Sequence, residues 1–121
     1  MITEDYVSFE VAKLLKEKGF NEKTPASYNE SGEFQEGFGR WNTTPIYYSA
    51  PTFQMAMKWL RETHNIYIDI SPTYSEVEKA IHFIWQIFDS NYDGIGDCEI
   101  FYSKYETACE SAIKYCLENL I

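Results

Sequence analysis

The sequence predicts one α+β domain, residues 1–121, in which about three helices pack against an antiparallel sheet in the order α-β-β-β-α-β-β-β-α. Three observations predict this class. Apolar residues have helical spacing near both ends of the chain and once in its middle. Short segments rich in isoleucine and aromatic residues lie between these helices. A chain of 121 residues is also long enough to bury one continuous core.

The first predicted helix begins with Ser8 as its N-cap and ends before Gly19. Glycine adopts the left-handed conformation that follows many helices, so Phe20 is expected to fold back on Leu15. The apolar face of this helix consists of Phe9, Val11, Ala12, Leu14 and Leu15.

Residues 21–45 have a weaker pattern, and we expect an irregular hairpin and loop region there. The segment 30–33 has the composition of a turn between two short strands, near residues 26–29 and 34–37. A loop region of this length in a small domain is either functional or mobile.

A short strand at residues 45–49 leads into the second predicted helix, with Pro51 at the first helical position. Asn65 is a good left-handed residue to end this helix. Isoleucine then alternates with other residues over 66–70, which predicts a half-buried strand. Pro72 either ends that strand or marks it as an edge strand.

Residues 75–88 fit two structures. Ser75 and Glu78 form a capping box, and the apolar residues after them keep helical spacing. The same run also gives an alternating apolar face rich in β-formers. We predict a strand from about Ala80 to Phe88 and keep a helix as the alternative.

The last part of the chain is predicted to form a turn at 89–97, a strand at 99–102 and a C-terminal helix. Ser103 and Glu106 form an S-x-x-E capping box at the start of that helix. Its apolar stripe consists of Tyr105, Ala108, Cys109, Ala112, Ile113, Cys116, Leu117 and Leu120.

The net charge is −9, from 19 acidic and 10 basic residues. A chain with this charge repels phosphate backbones, so direct binding to nucleic acid is disfavoured. No apolar run reaches the length of a membrane span, and the acidic, polar N-terminus is unlike a secretory signal. We therefore expect a cytoplasmic protein that makes no membrane contact.

The three cysteines are expected to be reduced, as in an intracellular protein. Cys109 and Cys116 are seven residues apart on one predicted helix, about 10 Å along its axis, which is too far for a disulfide. The sequence has no Cys-x-x-Cys pair, so a zinc site is disfavoured as well.

Three blocks of the chain are considered together: residues 1–20 and two distinctive blocks, APTFQMAMKWLRETHNI at 50–66 and YETACESAIKYCLENLI at 105–121. In these blocks the chain resembles a group of short uncharacterised proteins of gut anaerobic bacteria and their prophages or other mobile elements. The resemblance covers all three predicted helices. It implies a mobile-element setting in a bacterial cytoplasm and assigns no catalytic residue.

The sharpest local motif is the segment 89–97, which matches the first half of a calcium-binding loop. Position 12 of such a loop is a bidentate glutamate, whereas this chain has Ile100 there, and the residues before the loop have the pattern of a strand. We therefore expect neither a metal nor a cofactor. A degenerate calcium-binding turn remains the alternative, with Asp89, Asn91, Asp93 and Asp97 as its ligands.

No motif indicates an enzyme, because neither His64 nor His82 has a nucleophile or acid at a catalytic spacing. We predict a non-catalytic accessory protein that binds an unknown protein partner or a second copy of itself. An acidic inhibitor that imitates nucleic acid is the alternative.

The interaction candidates lie in a glycine-rich, polar stretch that cannot bury every ring: Tyr28, Phe34, Phe38, Trp41, Tyr47 and Tyr48. The competing interpretation is that these rings cover the sheet as part of the core.

Overall fold

The computed structural model describes residues 2–121 and has the predicted order of elements. The three helices are α1 (Phe9–Glu17), α2 (Phe53–His64) and α3 (Tyr105–Asn119). The six strands are β1 (Thr24–Asn29), β2 (Phe34–Gly39), β3 (Tyr47–Ser49), β4 (Tyr67–Ser75), β5 (Ala80–Phe88) and β6 (Gly94–Asp97). A short 3-10 helix, Trp41–Thr43, connects β2 with β3. The α+β class is therefore confirmed.

The strands form two antiparallel sheets of three strands each. The first sheet has the order β2-β1-β3 and follows α1; the second has the order β4-β5-β6 and follows α2. The core lies between the three helices and the inner faces of the sheets. Its buried residues include Val11 and Leu15 of α1, Leu60 of α2, Ile87 of β5 and Leu117 of α3.

Helix α1 begins and ends as the sequence predicts. The Ser8 hydroxyl accepts a hydrogen bond from the Val11 amide at 3.2 Å. Gly19 has φ +92°, and the Phe20 amide donates to the Leu15 carbonyl at 2.9 Å. This 6→1 bond is the defining contact of a Schellman ending.

Helix α2 begins later than predicted. Its N-cap is Thr52, whose hydroxyl accepts from the Met55 amide at 3.2 Å, so Pro51 precedes the helix and does not occupy its first position. The Pro51 carbonyl instead accepts from the Val7 amide at 3.0 Å, which ties this residue to the N-terminal segment. Asn65 ends the helix in the left-handed conformation, with φ +54°, as predicted.

The capping box predicted for α3 is not formed. The N-cap is Lys104, which makes no side-chain capping bond, and Ser103 lies outside the helix. The residue before Ser103 is fixed by a long-range contact, since Tyr102 and Phe83 exchange two backbone hydrogen bonds of 2.9 and 2.7 Å. The chain continues from this bridge through Ser103 and Lys104, and the helix begins at Tyr105, one residue too late for the box.

The strand prediction for 80–88 is confirmed, and the helical alternative is wrong. β5 pairs with β4 along its whole length, from Ala80 opposite Ser75 to Phe88 opposite Tyr67. β4 continues through Pro72, which the chain tolerates because β4 is an edge strand.

The strand predicted at 99–102 is absent, and only Tyr102 forms an isolated bridge, to Phe83. The sixth strand is β6, which lies inside the segment predicted as a turn. Its pairing partner is β5, and a four-residue strand of this kind has no strong local signal. In residues 2–121, no helix is long and apolar enough to cross a membrane.

Candidate interaction site

The exposed edge of the first sheet is β2, and five of its six residues are exposed. Its inner side pairs with β1, with Ser27 opposite Gln35 and Tyr28 opposite Phe34. Within residues 2–121 no strand pairs with its outer side. β2 therefore presents backbone donors and acceptors to solvent, as an edge strand does.

The direction of each backbone group in β2 follows from one hydrogen bond. The Asn29 amide donates to the Glu33 carbonyl at 3.0 Å, so residue 33 directs its backbone groups at β1. In an antiparallel pair, successive residues alternate between the inner and outer side. Phe34 and Glu36 therefore direct their backbone N–H and C=O groups away from β1, and Gln35 directs its groups toward it.

The two long edge strands differ in what protects them. β4 carries Pro72 near its middle, and a proline cannot donate to an added strand. β2 has neither proline nor lysine, and it contains Gly37 and Gly39. The register between β1 and β2 shifts after Glu36, which marks a bulge that bends only the C-terminal part of β2.

Two of the six predicted interaction residues are exposed on β2. Phe38 is 79% exposed and Phe34 is 44% exposed. The Phe34 ring packs against Tyr6 and Tyr28, with centroid distances of 5.1 and 5.6 Å. Phe38 makes no such ring contact among residues 2–121, so its side chain is the one most available to a partner.

The other four candidates, Tyr28, Trp41, Tyr47 and Tyr48, are half-buried. The Tyr28 hydroxyl donates to the Val7 carbonyl at 2.7 Å. The Trp41 indole N–H donates to the Gly37 carbonyl at 3.0 Å, and the Trp41 ring packs on Tyr47 at 5.5 Å. Of these rings, Tyr28 packs on Phe34 and Trp41 bonds to Gly37, so these two contact β2 directly.

The position of the Trp41 ring also explains why residue 39 of β2 is a glycine. A Cβ atom on Gly39 would lie 3.0 Å from the Trp41 ring, closer than most such contacts. The indole therefore lies directly on the backbone of β2. The sequence indicated that aromatics gather here, but it did not indicate which of them this local packing would cover.

The segment 89–97 consists of the turn 89–93, which joins β5 to β6, and of β6 itself. One oxygen of Asp89, Oδ1, accepts from the amides of Asn91 and Asp93 at 2.9 and 3.0 Å. This is the geometry of an aspartate that stabilises a turn. Within residues 2–121, no three His, Cys, Asp or Glu side chains are grouped to hold a metal ion.

Neither histidine lies in a catalytic arrangement in the described part of the chain. The His64 ring packs against Trp59 at 4.9 Å, and its Nε2 atom is buried with no hydrogen-bond partner in residues 2–121. His82 is buried in β5, with 8% of its surface exposed.

No family model, curated protein or solved structure matches this chain. The resemblance to proteins of mobile elements therefore stays a prediction, and the geometry of β2 is the basis for a functional proposal.

Proposed function

We propose that this chain is a non-catalytic interaction protein that binds an extended segment of a partner protein along β2. The observation that supports this most strongly is the combination of an unpaired edge and an exposed aromatic side chain on the same strand. Large exposed aromatic residues anchor many protein interfaces.

The binding mode is strand addition. The outward amides and carbonyls of Phe34 and Glu36 hydrogen-bond to the partner's backbone, which supplies affinity without requiring a particular sequence. The Phe38 ring supplies specificity by packing against a side chain of the added strand. The Trp41 indole bonds to Gly37 and the Tyr28 ring packs on Phe34, so both hold β2 in place and lower the entropy lost on binding.

A different protein fits this edge better than a second copy of the chain. Two copies that each carry a charge of −9 repel one another over the range of their fields. A neutral or basic partner meets no such repulsion. The resemblance of the three sequence blocks leads us to place this interaction in a bacterial cytoplasm, as an accessory activity of a mobile element.

The test is affinity capture from the native host with matched variants. Phe38→Ser removes the exposed ring, and Tyr74→Ser removes another exposed aromatic, 52% accessible, from β4 in the other sheet. We expect the wild type and Tyr74→Ser to retain the same protein and Phe38→Ser to lose it. Both variants should keep the wild-type melting temperature, because both rings are largely solvated.

Equal retention by all three chains would contradict the proposal, as would capture of no protein by the wild type. Size-exclusion chromatography of the pure chain tests whether a second copy of the chain occupies this edge. A wild-type dimer that becomes a monomer on Phe38→Ser would show that a second copy occupies the edge and would overturn our choice of a different protein.

A further inference from the structure

A shallow groove of about 460 Å³ lies on the second sheet, away from β2. Its lining consists of Tyr67, Ile68, Asp69, Gln86, Phe88, Asp89, Ser90 and Tyr92. Tyr67 is opposite Phe88 and Asp69 is opposite Gln86 in the β4–β5 ladder. Because these two pairs are two residues apart along the strands, their side chains share one face of the sheet.

The wall of the groove is aromatic. The rings of Phe88 and Tyr92 are stacked, with centroids 4.6 Å apart and an angle of 16° between their planes. Tyr92 is 78% exposed and Tyr67 is 41% exposed, so aromatic faces remain open to a ligand. Tyr92 also has φ +64°, a conformation in which asparagine is common and tyrosine is rare. The turn itself therefore does not require a tyrosine.

The charged groups of the groove are both acidic, Asp69 and Asp89. The Asp69 Oδ2 atom accepts from the Ser71 hydroxyl at 2.7 Å, and Asp89 uses Oδ1 for its turn. The second oxygen of each carboxylate has no hydrogen-bond partner within residues 2–121. Asp97 lies across β5, opposite Gln86, and extends the row that Asp69 begins.

No basic side chain in the strands of the second sheet neutralises these carboxylates. The segment 67–103 contains seven acidic residues and a single basic residue, Lys79, which lies in the turn between β4 and β5. The field at the groove is therefore negative, and it attracts cations.

We propose that this groove binds a basic segment of a partner protein by taking an arginine side chain between its aromatic rings and its carboxylates. A guanidinium stacks on aromatic faces, and it presents planar N–H groups that pair with a carboxylate. The Phe88–Tyr92 stack supplies the faces, and Asp69 supplies the carboxylate. The site does not depend on β2, so a partner that uses both would meet two separate surfaces of the chain.

The test uses dye-labelled hexa-arginine as the probe and fluorescence anisotropy at low salt as the readout. Hexacitrulline has nearly the same shape without the charge, and it should not bind. Hexalysine keeps the charge but stacks less well, and it should bind more weakly than hexa-arginine.

Five variants test the location of the site. Tyr92→Asn removes the ring and suits the left-handed backbone, and it should weaken hexa-arginine binding roughly two- to thirty-fold. Asp69→Asn should weaken it a few-fold, as expected for an exposed ion pair. Tyr74→Asn and Glu76→Gln are the controls, a tyrosine and an acid of the same sheet region outside the groove, and both should bind like the wild type. Phe38→Ser should also bind normally, which separates this site from β2.

Absence of hexa-arginine binding would overturn the proposal, and so would equal binding of hexacitrulline. Equal losses in Glu76→Gln and Asp69→Asn would show a diffuse charge effect with no site. If Tyr92→Asn melts early, Asp69→Asn carries the test alone, since its side chain is exposed and keeps its size.

Discussion

The Ser8 hydroxyl satisfies an amide that the first turn of α1 would otherwise leave without a partner. Ser8→Ala should therefore lower the free energy of unfolding by about 1 kcal/mol, the usual value for a lost N-cap. Ser103 is the matched control, because it also precedes a helix but makes no capping bond. Chemical denaturation of both variants measures the difference, and an equal loss in Ser103→Ala would contradict this assignment.

The two buried thiols of α3 should make the free energy of unfolding depend on pH in the alkaline range. Burial raises the pKa of Cys109 to about 11 and that of Cys116 to about 12, from an ordinary value of 9.0. Above pH 9 the unfolded chain loses these protons while the folded chain keeps them. The free energy of unfolding therefore falls as pH rises, by at most about 1.4 kcal/mol per pH unit for each thiol.

The measurement is the slope of unfolding free energy against pH between 9 and 11, in the wild type and in a Cys109→Ala, Cys116→Ala double variant. The variant should have a shallower slope, whatever its absolute stability. Identical slopes would show that the two thiols ionise equally in both states. Cys98 is only half-buried, whereas the other two cysteines are buried. In a thiol titration of the native protein, Cys98 should therefore react first.

At the scale of elements, α3 packs against the other two helices and against β4 and β5. The two leucines near its C-terminal end differ in burial. Leu117 is fully buried, whereas Leu120 is half-buried near the end of the helix. Leu117→Ala should cost about 2–5 kcal/mol, and Leu120→Ala should cost clearly less. Thermal or denaturant unfolding of the two variants measures this, and equal costs would show that α3 does not pack as described.

The sequence predicts elements wherever the deciding contacts are local. Ser8 and Gly19 mark both ends of α1 through hydrogen bonds between residues at most five apart, and Asn65 does the same for the end of α2. The prediction fails where a distant residue decides. Tyr102 is bridged to Phe83 just before α3, where the local capping signal at Ser103 is not used, and β6 is formed by its pairing with β5.

The candidate site was predictable only in part for the same reason. Composition placed six aromatics between residues 28 and 48, but it gave no indication that β2 would be an edge. That property depends on β3 pairing with the other side of β1, with Tyr48 opposite Tyr28. The groove on the second sheet depends in turn on the register that sets Asp69 opposite Gln86.

For the whole molecule, the two sheets have different surface chemistry. The first presents an open backbone edge with an exposed phenylalanine, and the second presents a face of aromatic rings and carboxylates. In our proposal a partner pairs with the backbone of β2, and one pair of variants at Glu36 tests this pairing. Proline at this position removes the outward N–H without breaking a bond to β1, while alanine removes only the side chain.

The decisive measurement is the amount of partner that the two variants retain in affinity capture from the native host, after both are shown to have the wild-type melting temperature. Strand addition predicts that Glu36→Ala retains the partner like the wild type and that Glu36→Pro loses it, because only proline removes a donor that the added strand needs. Equal retention by Glu36→Pro and Glu36→Ala would contradict strand addition at β2.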